Sequence, residues 1–168
     1  MDISTITEAF SDVTVQSPTV GVMLAGLLAV ALVFLSAFAS GSEIAFFSLS
    51  PSDVAELEDG KNPSDRKIQM LREDSERTLA TILITNNFVN VMIVMLLSNI
   101  FVSIVKFGPK AYWLEFLIMT VFLTFLLLLF GEIMPKVYCR QNPLRFCRRC
   151  VDAILFARKI FWPIETIL

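Results

Sequence analysis

Two stretches of this chain carry no ionisable side chain at all, one from Val13 to Ser42 and one from Thr78 to Val105. A third apolar run opens at Tyr112-Trp113, carries one acid, Glu115, and continues through a leucine-rich stretch to Phe130. A bilayer core of ~30 Å takes ~20 helical residues, so each run has the length to cross one. Inside hydrocarbon a backbone N–H or C=O must find its partner within the protein, and none of the runs alternates as a barrel strand would. The reading is an all-α membrane protein with three transmembrane helices plus cytoplasmic juxtamembrane helices. With 55% hydrophobic and only 18% charged residues, the composition excludes an ordinary soluble domain.

The fourteen Lys and Arg set the expected orientation. None precedes the first span, and the opening segment carries Asp2, Glu8 and Asp12 instead, so it lacks the basic start of a cleaved signal peptide. Five lie between spans one and two, two between spans two and three, and seven after the third. The positive-inside rule then puts the N-terminus outside and the C-terminus in the cytoplasm of a multi-pass protein of a bacterial-type plasma membrane. The expected domains are an extracytoplasmic segment at 1–19, a three-span domain at 20–141 and a juxtamembrane helix at 142–168. Between spans one and two, Ser50-Pro51-Ser52-Asp53 and Asn62-Pro63-Ser64-Asp65 each read as a cap, a first-turn proline and a first-turn acid, predicting a helical hairpin at about 51–74. After Asn142-Pro143, Arg145, Arg148, Arg149, Asp152 and Lys159 recur on one side of a helix. Leu144, Cys147, Val151, Ile154 and Leu155 take the other. Such a helix lies on an anionic leaflet or packs against a cytoplasmic domain.

Several chemistries fall away. With no histidine, neither a Ser-His nor a Cys-His nucleophile exists, and no phosphate-cradling glycine loop is present, so no enzyme is expected. Nothing resembles a nucleic-acid surface. Cys147-x-x-Cys150 has zinc-like spacing, but a structural zinc takes four ligands and the chain has three cysteines. Small apolar packing is their default role.

The remaining polar chemistry lies within the apolar runs. Span one ends in Ser40-Gly41-Ser42-Glu43, span two opens with Asn86-Asn87-Phe88-Val89-Asn90, and span three ends in Gly131-Glu132-Ile133-Met134-Pro135-Lys136. Ser40 and Glu43 share a helix face, as do Asn87 and Asn90. Gly131 and Pro135 loosen the third helix beside a carboxylate. By the expected topology all three clusters lie in the inner half of the membrane. Hydroxyls, amide oxygens, kink-exposed carbonyls and one or two carboxylates are ligands for Mg²⁺, Na⁺ or Ca²⁺. Taken singly, the asparagines serve equally as interhelical glue, and Glu132 pairs with Lys136. Their joint depth favours a cation site, since intramembrane acids are costly and usually functional.

At these residues the chain resembles the transmembrane domain of the CorC/CNNM (cyclin M) family, with Gly131-Glu132-Ile133-Met134-Pro135 the most specific part. The resemblance covers about residues 20–168. It implies a homodimeric Mg²⁺ transporter that exports Mg²⁺ in exchange for Na⁺ from an inward-open acidic cavity. The matching metal ligands are Ser40, Asn87, Asn90 and Glu132, with Gly131 as a carbonyl donor and Glu43 as a further acid. Asn86 stands where many relatives have glycine. The family also implies cytoplasmic CBS-type modules after Leu168. The alternative is a membrane anchor or scaffold, its polar residues joining helices while the cytoplasmic domains carry the function.

Overall fold

A computed structural model describes residues 13–108 and 111–165, the side chains of 162–165 excepted. The expected extracytoplasmic segment lies mostly outside the described residues. Among the described residues three helices are long and apolar enough to cross a membrane. The first is α1 (Val20–Phe47), whose N-cap Thr19 accepts a hydrogen bond from Val22 N at 3.4 Å. The hairpin follows as α2 (Pro51–Glu58) and α3 (Pro63–Glu73). Both start in reciprocal capping boxes: Ser50 with Asp53, and Asn62 with Asp65. Each box satisfies two N–H groups that a helix start would otherwise leave without partners. The second long helix is α4 (Ser75–Ile104).

The third is composite. It runs as α5 (Tyr112–Leu126), a π-helical turn (Leu127–Ile133) and α6 (Met134–Gln141). The break expected at Gly131 and Pro135 is therefore a widened turn inside a continuous rod. Short π segments often occur at functional sites. Finally α7 (Pro143–Glu165) runs back across α1 and α4. One feature had no warning in the sequence pattern. Thr14–Val15 (β1) pairs antiparallel with Val105–Lys106 (β2), and Gln16 N donates to Ile104 O at 2.7 Å. This short ladder ties the chain before α1 to the end of α4.

Packing divides the molecule into two zones. At the hairpin end, Phe46, Leu57, Ile68, Leu71, Cys147 and Val151 form part of one core joining α1, α2, α3, α4, α6 and α7. The apolar side of α7 is thus buried against the protein. Gly41 belongs to this zone: a Cβ there would come within 2.6 Å of Cys139 Sγ, so its bare backbone lets α6 approach α1. α1 continues through Gly41 unbroken. Further along the bundle the core thins to Leu32, Val89 and Ile93, with Leu127 against them. There the apolar windows of the second and third spans are only 11% buried, and large side chains such as Met95, Phe116 and Phe125 face outward. Such a surface suits lipid, as a membrane domain requires.

The basic side of α7 is divided. Arg148 forks onto Asp65 at 2.7 and 3.1 Å and reaches Glu56 at 2.9 Å. Lys67 bonds Asp152 at 2.6 Å, and Arg158 pairs with Asp74. The Arg148 guanidinium holds the Asp65 carboxyl below its ordinary range and is itself raised by Asp65. These contacts clamp the hairpin onto α7. Arg145 and Arg149 form no ion pair among the described residues.

Candidate cation site

Polar side chains do meet within the bundle, with a membership shifted from the expected one. Ser36 lies one turn before Ser40 on α1 and is wholly buried. Its Oγ stands 2.6 Å from Asn90 Oδ1 and 3.0 Å from Asn86 Oδ1, both on α4. A hydroxyl carries one proton. It therefore donates to one amide oxygen, and with the amides turned this way no hydrogen lies between Ser36 Oγ and the second; turned about its last bond, that amide would present its NH₂ to the hydroxyl instead. Three oxygens meet on a single proton.

The third helix closes the cluster. Gly131 is buried, and a Cβ there would sit 3.1 Å from Ser36 Oγ. The glycine is what lets this backbone come so near the hydroxyl. Pro135 has no N–H, so the Gly131 carbonyl lacks the donor an α-helix would supply from four residues on. Glu132 follows directly, half-buried, with no ion pair or hydrogen bond to another described residue. The basic residue one turn along is committed elsewhere: Lys136 Nζ lies 3.2 Å from Glu43 Oε2.

The expected residues therefore separate. Asn90, Gly131 and Ser36 are brought together, with Glu132 adjacent to Gly131 in the chain. Ser40 is wholly buried on the same face of α1 as Ser36, and its Oγ has no hydrogen-bond partner. A buried hydroxyl without a partner is costly, and a site for an ion is one explanation of such an atom. Asn87 is not in the cluster; it is exposed, about 100° round α4 from Asn86. Asn86 takes its place as the buried amide. Glu43 is an ion-pair partner of Lys136 and does not join the oxygens. Ser36 and Asn86 are the members missed from the sequence. Ser36 carried a signal in its four-residue spacing from Ser40.

The donor set fits a hard cation, which neutral oxygens and one carboxylate hold weakly enough to release. It does not fit a soft one. Among the described residues no three His, Cys, Asp or Glu side chains converge. The three thiols are free and buried, and the hydrogen bond with Cys150, together with burial, pushes the Cys147 thiol up, keeping it protonated.

Residues 27–168 match the model of the cyclin M transmembrane N-terminal domain. The chain belongs to that family. The cyclin M domain here is similar to the metal transporter cnnm-4 of Caenorhabditis elegans, 30% identical over 136 residues that make 78% of this chain and 28% of that protein. A DUF21 domain-containing chloroplastic protein of Arabidopsis thaliana is 32% identical over 143 residues, 85% of this chain and 21% of the relative. A UPF0053 protein of Haemophilus influenzae is 30% identical over 130 residues, 77% and 30% respectively. The chain thus spans less than a third of the length of these relatives. Its site lies wholly within the matched residues.

Proposed function

We propose that this cyclin M domain is the ion-handling membrane part of a Mg²⁺ transporter, exporting Mg²⁺ with Na⁺ as the exchange ion. The observation that carries the reading is the oxygen cluster: Ser36 Oγ, Asn86 Oδ1 and Asn90 Oδ1 converge with one hydroxyl proton among them, and Glu132, next to Gly131 in the chain, has no ion pair among the described residues. A cation resolves both deficits at once. In this reading the amide and hydroxyl oxygens replace part of the ion's water shell. The carboxylate of Glu132 balances its charge, and the Gly131 backbone keeps the third helix close. The Glu43–Lys136 pair keeps the ammonium from occupying Glu132. The related metal transporter supports this assignment of cargo class. Cytoplasmic modules on the full chain and a second copy of the domain remain part of the proposal.

The rival reading is a membrane anchor. It is favoured by the same Ser36–Asn90 hydrogen bond, since such bonds join membrane helices whatever else they do. Proteoliposomes enclosing a Mg²⁺ indicator separate the two. Na⁺-dependent Mg²⁺ movement with the wild type, absent with Glu132→Gln, is the expected result. Movement equal to protein-free vesicles, or unchanged in Glu132→Gln, favours the anchor.

A further inference from the structure

The two arginines left out of the hairpin clamp define a second feature, separate from the oxygen cluster. Arg145 and Arg149, with Tyr138, Asn142 and Phe146, line a cavity of about 110 Å³ where α6 turns into α7. Neither arginine forms an ion pair among the described residues. The start of α7, with Pro143 in its first turn, adds the positive end of a helix dipole. Guanidinium forks, a phenol O–H and an amide N–H are donors, and together they suit phosphate oxygens.

An apolar groove of about 380 Å³ lies between α7 and the first two spanning helices. Leu35, Phe38, Phe88, Met92, Phe156 and Ile160 are among its walls. Phe38 of the groove and Phe146 of the cavity are in ring contact, their centroids 5.7 Å apart. On α7 the features follow one line: Arg145, Arg149, Ala153, Phe156 and Ile160 recur at three- and four-residue spacing and are all exposed. From Arg149 to Ile160 the helix runs roughly 16 Å at ~1.5 Å per residue. One leaflet's hydrocarbon is about 15 Å deep, half of ~30 Å. The centre of the line lies about 100° round α7 from Arg148 and about 60° from Asp152, which hold the hairpin.

We propose that this line binds one anionic phospholipid, its phosphate between Arg145 and Arg149 and an acyl chain in the groove. Charge favours lipid over a second copy of the chain as occupant. The cavity holds two cations with no matching acid, and a symmetric partner would bring two more. The inference is independent of the cation site.

The test is native mass spectrometry and thermal unfolding of the chain in detergent, with added phosphatidylglycerol or phosphatidylcholine of matched acyl chains. The wild type is compared with Arg145→Gln/Arg149→Gln, and with Lys159→Gln, which removes one exposed charge ~15 Å farther along the same helix. The expected result is one retained phosphatidylglycerol and a melting temperature raised by several degrees, in the wild type and Lys159→Gln alike. The double variant should retain at least fivefold less, and phosphatidylcholine should do little. Equal retention by the double variant, equal stabilisation by phosphatidylcholine, or a loss in Lys159→Gln as large as in the double variant would overturn it. So would stabilisation by inorganic phosphate alone, or by protein concentration without lipid, which would make a soluble anion or a second copy the occupant.

Discussion

Two buried polar clusters in this domain are built by opposite rules. At Asp65 every lone-pair direction that matters meets a donor: the Arg148 fork and the Asn62 N–H that closes the α3 capping box. At Ser36 three oxygens converge on one hydroxyl proton, and the Glu132 carboxylate, next in the chain to Gly131, has no ion pair among the described residues. The first is a structural joint, complete in itself. The second is complete only with something added. Burial of polar groups costs energy in both places, but only the Asp65 cluster repays that cost from within the chain. The contrast singles out the Ser36 cluster as the candidate site, where the presence of polar residues alone would not.

The largest effect expected from breaking the contrast is at the joint. Asp65→Ala removes the Arg148 partner and the α3 cap together. Because Asp65 is covered by one arginine rather than deeply enclosed, a loss of about 2–3 kcal/mol is expected, toward the low end for buried pairs. Chemical or thermal unfolding measures it, and the response to Mg²⁺ should persist. Acid sharpens the same point. The Asp65 carboxyl is held below its ordinary range by Arg148. Its contribution is therefore present above the unfolded value of ~3.9 and lost as pH falls through the lower folded value. The stability gap between wild type and Asp65→Asn should stay constant from pH 7 to about 5 and close below about 4.

At the open cluster, Ser36→Ala should cost only about 1–2 kcal/mol in the absence of ions, the worth of one buried hydrogen bond. It should weaken Mg²⁺ binding at least tenfold, measured by calorimetry. A large loss of stability with unchanged binding would make Ser36 glue. The smallest effect belongs to Asn87→Ala, expected within about 0.5 kcal/mol of wild type, as for an exposed position. Its Mg²⁺ affinity should change less than threefold. A tenfold loss there would restore Asn87 to the site in place of Asn86.

Much of the fold was legible because charge exclusion is a strong signal in a membrane chain. The three spans follow from uncharged runs, and the hairpin from Ser50-Pro51 and Asn62-Pro63. That polar residues of the three spans meet was legible in part, through Asn90 and Gly131. The helix phase was not. Around Asn86 and Asn87 the polar residues Thr81, Thr85 and Asn90 are spread round the helix among apolar ones, so no single polar face marks which side of α4 meets α1. The packing of Ile82, Val89 and Ile93 decides it, and puts Asn86 inward. The π turn was hidden for a related reason. Gly131 and Pro135 announce a weak point, but its form depends on how closely Gly131 seats against Ser36. On α7 the alternation of sides was clear, while its outcome depended on the hairpin. Arg148 and Asp152 found partners there, and Arg145 and Arg149 did not.

The central claim is that the Ser36 cluster with Glu132 binds a divalent cation, and thermal unfolding in detergent against rising Mg²⁺ tests it most directly. Wild type, Glu132→Gln and Asp65→Ala would be compared, with Ca²⁺ and Na⁺ as controls. The account predicts a saturable rise in melting temperature for wild type and for the less stable Asp65→Ala, and no rise for Glu132→Gln. A response that survives in Glu132→Gln, or its absence from the wild type, would contradict it.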